Sequence, residues 1–155
     1  MKHIRGCEIK PIDVAQDFYE TYKRCMATNS QNQFVSIPAF ANGFFACELY
    51  LKCILKANAI DATGHNISEL FRQLPAELRV KIEKKFSEKA TEFFNLYSTT
   101  FDELLNKISL GFEFWRYVYE EENKPFENRF PFAYSEQFLK LFLPMIAEVA
   151  NNFNS

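Results

Sequence analysis

The chain has 155 residues, 48% hydrophobic and 25% charged, the balance of one globular domain long enough to bury a core. Eighteen basic against twenty acidic side chains give a formal charge of −2, which counts against a broad phosphate-holding surface and permits only a small local one. The 18 phenylalanines lack a polar handle and belong in a core or an interface, while 4 Gly and 6 Pro supply too little turn chemistry for a sandwich or barrel.

After a short arm, Pro11 to about Thr28 reads as a first helix: Ile12, Ala15, Tyr19, Tyr22 and Met26 recur at helical steps, and Pro11 suits a first turn. The polar run Asn29-Ser30-Gln31-Asn32-Gln33 ends it. Pro38 to about Ala59 is apolar almost all round, interrupted after Gly43 only by Glu48, Lys52 and Lys56, so it should be the central helix with one polar edge. Glu48 ahead of Lys52 is the favourable order for a helix charge pair. Asn66 with Glu69 has the form of a capping box opening a short helix, Ile67 to Leu74, that Pro75 closes.

A longer helix is expected from about Ala76 to Tyr97, with Leu78, Ile82, Phe86, Ala90 and Phe93 on one stripe. Thr100 and Glu103 form a second box, leading a segment with Phe101, Leu104, Leu105, Ile108, Phe112 and Trp115; Gly111 weakens that helix and need not break it. Pro125 and Pro131 mark an irregular link. The last helix, about Tyr134 to Phe153, buries Phe138, Leu141, Phe142, Met145, Ile146 and Val149 and should kink at Pro144. No segment shows strand alternation and no linker divides the chain. The reading is a single all-α domain over residues 1–155, an up-and-down bundle of four to five long helices plus a short one.

Chemistry-bearing motifs are sparse. His3 and His65 have no partner at metal-ligand spacing, and no phosphate-binding or dinucleotide-binding motif occurs, so no metal and no cofactor is expected. Cys7, Cys25, Cys47 and Cys53 form no CxxC pair and read as free thiols, mostly buried, in a cytoplasmic protein; those of the apolar central helix should have their ionisation suppressed. The start has no signal-peptide core, and no window reaches the ~18 apolar residues of a membrane span. Three residues stand out. Glu48 interrupts an apolar helix and needs a partner, with Lys52 and Arg116 as candidates. Arg116, between Trp115 and Tyr117, is either a structural cation stacked on aromatics or an anion-binding group. His65, between Gly64 and the cap Asn66, either faces a groove or packs on Phe71.

The same places carry a resemblance. Glu48-Leu49-Tyr50-Leu51-Lys52-Cys53-Ile54-Leu55 resembles the E-L-x-L-K helix of HEPN domains, and Gly64-His65-Asn66-Ile67-Ser68-Glu69-Leu70-Phe71 resembles the turn that follows it. Phe114-Trp115-Arg116-Tyr117-Val118-Tyr119-Glu120 is similar to a segment of a prokaryotic branch of that family. The resemblance implies a helical bundle, a homodimer and a place in a defence or stress-related system. It also implies a metal-independent endoribonuclease centre built on an Arg and a His four to six residues later. Arg116 matches the arginine, but Glu120, Glu121 and Glu122 stand where the histidine is expected, and their charge would repel an RNA phosphate. The expected function is therefore a binding or interaction module that takes a protein partner or a small ligand. The alternative is a divergent ribonuclease that uses Arg116 with His65 as its histidine. Glu48, Lys52, Arg116, Tyr117 and Glu120 are the expected polar cluster.

Overall fold

A computed structural model of the protein describes residues 3–4, 7–27, 36–116 and 132–154. Among these, the short pairing of β1 (His3–Ile4) with β2 (Cys7–Glu8) precedes an all-α helical bundle. Its helices are α1 (Pro11–Ala27), α2 (Ser36–Ala57), α3 (Ile67–Arg72), α4 (Ala76–Lys89), α5 (Thr91–Tyr97), α6 (Phe101–Lys107), α7 (Gly111–Arg116) and α8 (Phe132–Phe153). Tyr117, Glu120, the acidic run that follows and the Pro125–Pro131 link lie outside the described residues, as does the side chain of Cys7.

Helix α2 is the axis of the bundle, packing against α1, α3, α7 and α8. Its residues explain this place: Ala39, Phe40, Phe44, Ala46, Cys47, Tyr50, Leu51, Ile54 and Leu55 are fully buried, on more than one face. Around it the phenylalanines form a connected core, with Phe44 against Phe138, Phe138 stacked on Phe142, and Phe71 and Phe86 both meeting Phe101. Each such ring removed from water contributes roughly 1.5–3 kcal/mol. Trp115 ties α7 to α8, its buried indole N–H donating to Ser135 Oγ at 2.8 Å.

Two expected long helices are each broken in the structure. The segment from Ala76 to Tyr97 divides at Ala90, where Thr91 Oγ1 donates to the carbonyls of Ser87 and Glu88 and so competes with the backbone ladder. The segment that begins at the Thr100–Glu103 capping box, present in full, stops at Lys107 and restarts at Gly111. There is no room there for a side chain: a Cβ on Gly111 would lie 2.6 Å from two ring atoms of Phe44. Helix α8, by contrast, runs through Pro144, which lies on its exposed face.

The end of α2 prepares the site. Ala59 takes a left-handed conformation (φ 58°), Ile60 N–H donates to Leu55 O and Ala59 N–H to Lys56 O, the paired bonds of a Schellman cap. Gly64 has φ 87°, a conformation glycine adopts without strain. These two turns fold residues 58–66 back along α2, and Asn66 Oδ1 then caps α3 by accepting from the backbone N–H groups of Ser68 and Glu69.

Candidate functional site: a carboxylate–imidazole pair beside a lysine

Folding the 58–66 segment back brings His65 onto Glu48. His65 Nδ1 lies 2.7 Å from Glu48 Oε1, Lys52 Nζ donates to the same oxygen at 2.8 Å, and Nζ is 3.4 Å from Nδ1. Burial is uneven across the three. The Glu48 side chain is 5% exposed, Lys52 30% and His65 82%. A buried carboxylate is tolerable only with such charge-assisted bonds, and Lys52, one helical turn away, supplies the neutralising charge.

The shorter of the two Nδ1 contacts assigns the imidazole tautomer, since Lys52 at 3.4 Å would instead call for a lone pair on Nδ1. An ionised carboxylate only accepts and a lysine ammonium only donates, so a ring nitrogen in contact with Glu48 must carry the hydrogen. With Nδ1–H bound to Glu48, the lone pair of the neutral ring is on Nε2, on the exposed side of the molecule. The arrangement can accept a proton at Nε2, ligate at Nε2, or act there as a nucleophile.

A small cleft of about 40 Å³ opens beside the pair, lined by Glu48, His65, Ile67, Ser109, Leu110, Phe112 and Glu113. It has room for water-sized groups. The α6–α7 turn forms its far wall, held to the start of α3 by the Ile67 N–H donating to Ser109 O at 3.0 Å. Nothing in the spacing of Ser109, Leu110 or Glu113 marks them in advance, since they reach the cleft through tertiary packing of the α6–α7 turn against α3.

Of the expected polar cluster, Glu48 and Lys52 are joined as expected, and His65 joins them in place of Arg116. The His65 side chain is largely exposed, whereas Phe71 is buried against Phe101 and Phe142. Arg116 is exposed at the end of α7, with its guanidinium carbon 5.7 Å from the centre of the Phe112 ring, one turn back. Its helix therefore borders the cleft through Phe112 and Glu113. Tyr117 and Glu120 lie outside the described residues.

The thiols of α2 are poor nucleophiles here. Burial pushes the Cys47 thiol well up from its ordinary range and raises that of Cys53, so the thiolate is suppressed in both. Cys47 and Cys53 are free thiols. Among the described residues no group of three or more His, Cys, Asp or Glu side chains could hold a metal ion, and no helix is long and apolar enough to cross a membrane.

Fold and site together define an all-α bundle that presents an imidazole oriented by a buried glutamate and flanked by a lysine. No protein-family model, curated protein or solved structure matches the chain.

Proposed function

We propose that this chain is a HEPN-like helical module that works in the cytoplasm as a homodimer, binding a protein partner in a prokaryotic defence or stress-related system, and that it does not cleave RNA. The HEPN reading is supported by how its motif segments sit. The Glu48–Lys52 segment bonds directly to the turn that holds His65, and α7, where the third segment begins, borders the same cleft.

The observation that carries the non-nuclease reading is the electrostatics of that cleft. Two carboxylates, Glu48 and Glu113, line a space of about 40 Å³, and Lys52 is already neutralised by Glu48. A phosphodiester approaching such walls meets repulsion where a ribonuclease needs a clamp on developing negative charge. One observation favours the alternative, a divergent metal-independent ribonuclease: Arg116 is exposed and stacked on Phe112, a residue of the cleft wall.

The two are separated by incubating the protein, Arg116→Ala and His65→Ala with labelled single-stranded and hairpin RNA in the presence of a chelator. The binding reading expects no cleavage above the buffer control in any of the three. Cleavage by the wild type that both variants lose would establish the nuclease. Sedimentation over a wide concentration range tests the homodimer, and a strict monomer at the highest concentration removes that part.

A further inference from the structure

His65 is held by one atom only. A histidine that serves the core is covered on its faces, yet this ring is 82% exposed and its polar contacts, to Glu48 and Lys52, are both made at Nδ1. The carboxylate that holds it is 5% exposed, so the orienting group is fixed while the reactive edge of the ring stands in solvent. General-base catalysis would need a large substrate anchored beside Nε2, and the adjoining cleft, of about 40 Å³, admits only water-sized groups and gives it no such seat. Metal binding would need further ligands, and no such group exists among the described residues. Nucleophilic attack on a donor arriving from solvent needs neither.

We propose that His65 is a phosphoryl-acceptor histidine, modified at Nε2 by a donor of the N–P class, the class to which a phosphohistidine on another protein belongs. The proposal stands independently of the HEPN reading. In the step, the Nε2 lone pair attacks phosphorus and forms an N–P bond. The donor's own P–N bond breaks, and its electron pair leaves with the nitrogen, which departs as a neutral amine or imidazole when protonated beforehand. The acceptor ring becomes cationic, and that charge is shared with Glu48 through the Nδ1–H already in place, so no proton has to move. The incoming phosphoryl keeps its negative oxygens beside the cationic ring, while Lys52 lies against Nδ1, not Nε2, and stays paired with Glu48. A nucleophile oriented by a second group that is itself buried and fixed is the arrangement such covalent chemistry requires.

The chain supplies its own control, because it holds only two histidines, His3 and His65. Native protein is incubated with potassium phosphoramidate, the simplest N–P donor, and the acid-labile phosphoryl adduct is followed by peptide mass spectrometry and phosphorus NMR. The expected result is labelling of His65 about tenfold faster than His3 or more, as the Nε2 isomer alone. In denaturant the two histidines should react alike and give both isomers. Glu48→Gln should slow labelling of His65 by about tenfold, the usual effect of removing an orienting partner, with circular dichroism confirming its fold. No adduct, equal native labelling of His3 and His65, an Nδ1 adduct on His65, or a Glu48→Gln variant that reacts at the wild-type rate would each overturn the proposal. If Glu48→Gln does not fold, the rate ratio and isomer in the wild type decide alone.

Discussion

Adding one methyl group at Gly111 should loosen the joint that seats α7. Gly111 is buried, and a Cβ there would lie 2.6, 2.6 and 2.7 Å from three ring atoms of Phe44. To restore the 3.4 Å at which ordinary contact begins, ring and helix must separate by about 0.8 Å. Phe44 is fully buried and stacked against Phe138, so the ring has nowhere to retreat. Overpacking of this kind costs about 1–3 kcal/mol. Against it stands the helix preference of Ala over Gly, at most about 1 kcal/mol and less at a first-turn position. The clash wins. Gly111→Ala should be less stable by about 1–2 kcal/mol, a drop in Tm of roughly 2–8 °C for a chain of this size. The assay is thermal unfolding by circular dichroism, with urea unfolding read on the fluorescence of Trp115, the only tryptophan, four residues along the same helix. Phe44→Leu in the same chain should relieve the clash, so the double variant should be more stable than the two single losses added together by at least about 0.5 kcal/mol. An unchanged or raised midpoint for Gly111→Ala, or strict additivity in the cycle, would refute the reasoning.

Three further outcomes follow from the packing around α2. Burial pushes the Tyr22 and Tyr50 hydroxyls and the Cys47 thiol up from their ordinary ranges, so the folded chain keeps protons that the unfolded chain releases. That stability is complete below about pH 8.5, the value of an unfolded thiol, and is lost as pH rises past about 10, that of an unfolded tyrosine. Urea midpoints should therefore fall above about pH 9. Tyr50→Phe, which removes a 2.7 Å bond to Gln16 Oε1, should be about 1 kcal/mol less stable at pH 7 and lose less between pH 9 and 11; a flat wild-type profile contradicts this. Ala59 holds a left-handed conformation where glycine is free of strain, so Ala59→Gly should stabilise by about 0.5 kcal/mol in urea, and a loss would show that the cap is not strained. A thiol reagent at pH 8 should modify half-buried Cys25 and reach fully buried Cys47 only on global unfolding; peptide mapping that finds Cys47 modified in native protein would contradict its burial.

Much of the fold was legible because it depends on patterns that repeat along the chain. The near-continuous apolar surface between Pro38 and Ala59 required a central helix, and α2 occupies that place. Asn66 and Thr100 marked helix starts that are local in origin, since a cap needs only its own first turn. The breaks at Ala90 and Gly111 were not legible in the same way. One depends on which acceptors the Thr91 hydroxyl selects, and at the other the close approach of Gly111 is to a ring 67 positions away in the chain, Phe44.

The site divides along the same line. By itself the sequence determined that Glu48 needs a partner, because an ionisable group in an apolar helix is costly unless paired, and it offered Lys52 because residues four apart share a helix face. Only the tertiary structure decided the other partner. The left-handed turns at Ala59 and Gly64 return the chain along α2, so that the imidazole bonded to Glu48 is His65, and Arg116 rests on Phe112. Spacing reports neighbours along one element, whereas a bond between residues 48 and 65 depends on two backbone turns whose sum no periodicity records.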